Sequence, residues 1–189
     1  MKGFLFAEEN SSYQHGASVI RALQKIQPDV QCVGLGGPRM ERAGMQLRFN
    51  LAESSLLGFI EVVKSLGMIR RLFAETVEYF ENERPDVVVL IDYPGFNLRL
   101  ARRAHELGIP VVYYIGPQVW AWRRGRVRTV KKFVDKMLVI LPFEENIYAE
   151  AGVPCAYVGH PMIDHLEEFR PSGELTSNMG LGLLRGSGG

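Results

Sequence analysis

The 189-residue chain carries 22 Lys and Arg against 21 Asp and Glu, a formal net charge of +1, and 47% hydrophobic residues. This composition fits one soluble globular domain with a sizeable core and excludes a protein that coats polyanions over its whole surface. Cys32 and Cys155 match no metal or redox spacing and read as thiols of a reducing cytoplasm. The N-terminus lacks the apolar stretch of a signal peptide, and no run is long enough to span a bilayer.

Taken in chain order, residues 2–7 predict a strand, followed by the loop AEENSSYQHG with Glu8, Glu9, Ser11 and His15 ahead of a helix at 16–26. A second strand at 30–34 runs into GLGGPRMERAG. Its glycines imitate a dinucleotide fingerprint, but the last glycine position falls on Arg39, so that reading is rejected. Helices follow at 56–66 and 68–83, a strand at 87–91, a helix at 96–107 and a strand at 111–115. The unbroken apolar runs VVVLI and VVYYI mark strands buried on both faces. A helix at 123–134, a strand at 136–140, a helix at 143–151 and a weaker strand at 156–158 complete the alternation. Gly108-Ile109-Pro110 and Gly152-Val153-Pro154 each stop a helix and lead into the next strand. The alternation predicts an α/β fold: a Rossmann-like parallel sheet with helices on both faces. Residues 1–170 form that domain, and 171–189 turn Gly- and Ser-rich, as a tail or the remnant of another element.

In such a sheet ligands gather beyond the carboxyl ends of the strands. Asp92 in DYPGFN stands there, placed either to accept a hydroxyl proton or simply to cap a turn. GPQVWAW offers Gln118 as a ligand-bonding group and Trp120 and Trp122 as apolar walls or core. Arg123, Arg124, Arg126, Arg128, Lys131, Lys132 and Lys136 then face the single acid Asp135, a local patch suited to an anion. His160, Asp164 and His165 lack a second set of ligands, so no metal is expected, and no other cofactor is implied. Walker, HExxH and GxSxG motifs are absent from the sequence. Residues 56–73 are apolar over a wide arc. They predict either a core helix or an interfacial one, burying Leu57, Ile60, Val63 and Leu66 in a membrane surface with Arg70 and Arg71 at the headgroups.

The segments GGPRMERAG, LLGFIEVV, RPDVVVLIDYPGFNLRLA, YYIGPQVWAWRRGRV, ILPFEENIY and VGHPMID occur in an order and spacing that resembles the N-terminal half of the lipid-A-disaccharide synthase family. The resemblance covers Lys2 to about Asp164. It implies the N-terminal half of a GT-B glycosyltransferase that transfers 2,3-diacylglucosamine from its UDP conjugate to 2,3-diacylglucosamine 1-phosphate. UDP is released and the anomeric centre inverts without metal or covalent intermediate. By this match Asp92 is the catalytic base or positioner for the acceptor's 6-hydroxyl. Glu9, Ser11, Asn97, Gln118, Trp120 and Arg123 shape the substrate site, and His160 and Pro161 lie near a hinge.

The expected partners are the acylated glucosamine phosphate, an anionic face of the inner membrane, and a separate UDP-sugar-binding half. No nucleic acid is expected, since the basic run is short and the rest of the chain is neutral. Two departures bear on activity. The family's G-E-x-S-G-D loop is here Glu8, Glu9, Asn10, Ser11, Ser12 and Tyr13, and the sequence ends where a nucleotide-binding half would begin. The chain is therefore expected to be a shortened synthase, inactive alone. The alternative is a non-catalytic module that binds acylated sugar phosphate or a membrane surface.

Overall fold

The computed structural model describes residues 1–8, 10–50, 62–117 and 125–161. The chain divides into two units, Met1–Val158 and Gly159–Gly189. The boundary expected at residue 170 lies outside the described residues. The described strands are β1 (Lys2–Phe6), β2 (Gln31–Gly36), β3 (Gln46–Asn50), β4 (Val87–Ile91), β5 (Val111–Tyr114), β6 (Lys136–Val139) and β7 (Cys155–Tyr157). All pair in parallel in the order β3-β2-β1-β4-β5-β6-β7. The described helices are α1 (Asn10–Ile26), α2 (Pro38–Arg42), α3 (Val62–Glu83), α4 (Pro94–Glu106), α5 (Gly125–Phe133) and α6 (Pro142–Glu150).

From β1 the chain winds outward through β2 to β3, then crosses back to β4 and winds the other way to β7. Right-handed crossovers put α1 and α2 on one face and the later helices on the other. The side chains agree. Phe4 and Phe6 share a face of β1; Phe4 meets Tyr79 and Phe80 of α3, and Phe6 stacks on Phe96 of α4 at 4.9 Å between centroids. Leu5, between them, is fully buried toward the opposite face, and Val88, Leu90 and Ile91 are buried along β4. Each such aliphatic side chain contributes about 1.5–3 kcal/mol by leaving water. Lys2 ties β1 to α3 through a 2.5 Å pair with Glu83, which holds the Glu83 carboxyl below its ordinary range.

Four sequence expectations need correction. Helix α1 starts at Asn10 rather than residue 16, which turns the expected loop into the first turns of a helix. Tyr13, Gly16, Ala17 and Ile20 recur at helical spacing and are all buried, so tertiary packing overrides the weak local preference of Asn, Ser and Gly. Pro38–Arg42 and Gln46–Asn50 form α2 and β3, which the sequence reading left unassigned. The two helices expected at 56–66 and 68–83 are one from Val62 onward, passing through Gly67; residues 56–61 lie outside the description. At the C-terminal end of the apolar arc, Leu72 is buried, Ile69 packs on the core, and Phe73 meets Phe96 edge-on at 5.7 Å. That end is core, with Arg70 and Arg71 exposed beside it.

Candidate functional site

The direction of winding reverses between β1 and β4, and in parallel sheets such a switch point is where a crevice forms at the carboxyl ends of the strands. Phe6 of β1 pairs with Leu90 of β4, so the residues just beyond them, Glu8 and Asp92, leave the sheet side by side. Asp92 takes φ 54° and Tyr93 φ 43°, two successive left-handed residues without glycine. Such backbone costs about 1–3 kcal/mol per residue and persists only where its surroundings hold it. Here they do. The Asp92 amide donates to Tyr114 O at 3.0 Å, while the Asp92 carbonyl accepts from Tyr113 Oη and Asn97 Nδ2, each at 2.6 Å. Ile115, where β5 leaves the sheet at the same edge, also has positive φ, at 58°.

Capping does not explain Asp92. The N-cap of α4 is Tyr93, without a side-chain cap bond, and Pro94 opens the helix. The Asp92 carboxylate is half-buried and has no hydrogen bond or ion pair among the described residues. It is thus available to accept a bond from a ligand hydroxyl. Burial, and then the Asp92 charge, raise the Tyr113 phenol far above its ordinary range, so Tyr113 stays protonated and keeps a proton to donate. The Arg126 charge acts on the same phenol in the opposite sense. His15, on α1, meets the Tyr114 ring edge-on at 6.3 Å between centroids. Tyr113 and Tyr114 are residues of this cluster that sequence reading did not single out; the paired tyrosines before GPQVWAW were the available signal, while Arg126 was already expected as part of the basic patch.

Asn97 needs a different account from the expected substrate contact. It is fully buried, and its Nδ2 spans Ile91 O at 3.2 Å and Asp92 O at 2.6 Å, so it supports the site from beneath. Asn97→Leu is expected to cost about 2–4 kcal/mol, because buried carbonyls lose their donor. Urea denaturation followed by circular dichroism would check this. Ser11 stands exposed in the first turn of α1 at the same edge. Glu9, Gln118, Trp120, Arg123, Leu57 and Ile60 lie outside the described residues, as do the side chains of Val63 and Leu66.

The entry to GPQVWAW is nevertheless well anchored. Tyr148 Oη donates to Pro117 O at 3.0 Å, and a Cβ on Gly116 would strike the Met137 methyl. Tyr148 belongs to α6, whose start explains the LPFE segment. Pro142 occupies the first helical turn, and the Glu144 carboxylate accepts from Leu141 N at 3.3 Å. Two of the sequence's distinctive segments therefore meet at one buried phenol. A cavity of about 230 Å³ lies elsewhere, between β3 and α3, lined by Phe4, Arg48 and Tyr79 among others. It shares no residue with the Asp92 cluster.

A family model described as lipid-A-disaccharide synthetase matches residues 3–182. The chain belongs to that family. It is 42% identical over 181 residues to the lipid-A-disaccharide synthase of Trichlorobacter lovleyi, covering 96% of this chain and 47% of that protein. It is 45% identical over 160 residues to that of Myxococcus xanthus, covering 85% and 42%. The chain thus spans about half the length of the curated relatives it matches. Among solved structures, a putative UDP-N-acetylglucosamine 2-epimerase from Listeria monocytogenes superposes with TM-score 0.69 at 12% identity, over 95% of this chain and 50% of that one. A UDP-GlcNAc 2-epimerase from Neisseria meningitidis gives 0.65 at 13%, over 96% and 53%. At such identity the likeness shows the fold, the Rossmann-like α/β half of a GT-B architecture.

Within the lipid-A-disaccharide synthetase family, the departures in the first loop have a physical account in this chain. Neither Glu8 nor Ser12 takes positive φ, since Ser12 lies within α1 and Glu8 just ahead of it. Tyr13 is buried with its ring against Gly37, where a Cβ would come within 2.6 Å of it. Met40 fills the space beside Gly36 and Gly16 in the same way. Gly36, at the end of β2, and Gly37, just after it, therefore leave room for Met40 and Tyr13.

Proposed function

We propose that this chain is the acceptor-side half of a lipid-A-disaccharide synthase. The observation that carries this reading is the Asp92 carboxylate, unpartnered among the described residues and held at the switch point of the sheet. In the proposed reaction it accepts the proton of the 6-hydroxyl of 2,3-diacylglucosamine 1-phosphate as that oxygen attacks the anomeric carbon of UDP-2,3-diacylglucosamine. The bond to UDP breaks on the opposite side, so UDP leaves and the anomeric configuration inverts. Cations at the start of α5, Arg126 and Arg128, would meet the acceptor's phosphate, with Arg123 proposed from the sequence to join them. The UDP-sugar would be presented by the half of the relatives that has no counterpart here.

The 189-residue chain is accordingly expected to bind the acceptor, as read by calorimetry in detergent, and to show negligible disaccharide synthesis from the two substrates. Adding the separately expressed C-terminal half of the Trichlorobacter lovleyi relative is expected to restore turnover. Full-rate synthesis by the chain alone, or no acceptor binding, would overturn the proposal. Binding that never yields product under complementation would favour a non-catalytic module.

The proposal includes a cytoplasmic location with peripheral attachment to the inner membrane. Arg70 and Arg71 are exposed and follow the apolar run from Leu56 in sequence, Arg71 paired with Glu75 at 2.7 Å, and each cation near an anionic surface adds roughly 1 kcal/mol that fades with salt. The chain is expected to sediment with phosphatidylglycerol vesicles and to be released in part at high salt. Ile60→Asp should release it without loss of helical signal. Unfolding by Ile60→Asp, together with indifference of the wild type to vesicles, would make residues 56–73 core instead.

A further inference from the structure

Resting on the reading of Asp92 above, we infer that Tyr113 is a positioning residue that sets the Asp92 carboxylate through its backbone. Asp92 is left-handed, and so is its neighbour Tyr93, although neither is glycine. A carbonyl has two lone pairs, and at Asp92 both are taken by buried side-chain donors, Tyr113 Oη and Asn97 Nδ2, at 2.6 Å. The amide on the other side of the same residue is fixed to Tyr114 O at 3.0 Å. Every polar backbone group of Asp92 is therefore committed, while its side chain is not. Tyr113 is fully buried and comes from β5, the strand whose carboxyl end also opens into Gly116 and Pro117. One strand thus holds the carboxylate's backbone and launches the adjacent loop, so the two sides of the crevice are set together. Asn97 shares the load from α4, but it also bonds Ile91 O and so serves β4 as well; the Tyr113 hydroxyl donates to Asp92 O and lies within hydrogen-bonding reach of the Asn97 side chain, which shares the same carbonyl.

Tyr113→Phe removes the hydroxyl and keeps the ring, and thermal melting should show the fold retained. In this variant, amide exchange at Asp92 and Tyr93 is expected to quicken by about five- to tenfold, the factor one net hydrogen bond supplies, while Phe4 and Leu90 keep their rates. The carbon chemical shifts at Asp92 should move away from left-handed values. A double-mutant cycle on acceptor affinity then separates positioning from bulk structure. Tyr113→Phe should weaken binding in the wild type and add nothing to Asp92→Asn. Equal weakening in both backgrounds, or unchanged exchange at Asp92 and Tyr93, would overturn the role of Tyr113. If Asp92→Asn alone leaves acceptor binding unchanged, it is the reading of Asp92 that fails, and the exchange and chemical-shift data still decide what Tyr113 does.

Discussion

Asp92→Asn is expected to lower disaccharide formation by about 10²- to 10⁴-fold, the usual contribution of a positioned general base. The measurement is turnover of the chain complemented with the second half of a relative. The substitution keeps the size of the side chain and leaves the backbone bonds to Tyr113, Asn97 and Tyr114 in place. Stability should therefore change little, because no described residue bonds the carboxylate. A loss of activity without loss of melting temperature would mark a group that acts on substrate. An equal rate in the variant would remove Asp92 from the chemistry and leave it a turn residue whose conformation serves the fold alone.

Gly34→Ala should unfold the domain or cost at least about 3 kcal/mol, at or beyond the upper end of ordinary overpacking. Gly34 lies in β2, opposite Leu5 of β1, and a Cβ there would drive into the Leu5 carbonyl oxygen and crowd its backbone nitrogen. A side chain in the way could rotate; a strand backbone in the middle of the sheet cannot. The β2–β3 register also shifts between Gly34 and Leu35, which shows that the strand is already adapted at this point. The contrasting control is Gly67→Ala in α3, where a Cβ meets nothing within 4 Å among the described residues and a helical residue gains by losing glycine's freedom. Guanidinium denaturation should show a large fall in midpoint for Gly34→Ala and a small rise for Gly67→Ala. Similar midpoints for the two variants would contradict the packing argument.

Much of this protein was legible in its sequence because the relevant physics is local. VVVLI and VVYYI read as strands and form β4 and β5, although β5 ends at Tyr114 and alternates buried with half-buried residues, and Gly108 and Gly152, with φ 73° and 71°, end helices as their placement before Ile-Pro and Val-Pro predicts. The position of Asp92 at a strand's carboxyl end followed from the same pattern. The first turns of α1 and the whole of α2 and β3 did not. Asn, Ser and Gly at 10–16 carry a loop's local preferences, and what makes them helical is the burial of Tyr13 on Gly37 and of Gly16 against Met40, contacts between segments far apart in the chain.

The site divides in the same way. Chain order alone placed the carboxylate in a loop with the chemistry to take a proton. Only the tertiary structure decided between a capping role and an available one, since that depends on where Tyr93, Asn97 and Tyr113 direct their groups. Asn97 was expected at the substrate site through the family resemblance, and the helix turns its amide inward beneath the loop, onto Ile91 O and Asp92 O. Tyr113 looked like an ordinary strand residue, yet pairing of β5 with β4 brings its hydroxyl to the Asp92 carbonyl. Sequence by itself determined the alternation of elements, the strand ends and the candidate acid, because hydrophobic period and turn chemistry act over a few residues. Which groups face the crevice and which hold it from below was decided by strand order and helix packing, because a hydrogen bond between residues 92 and 113 exists only once two strands lie side by side.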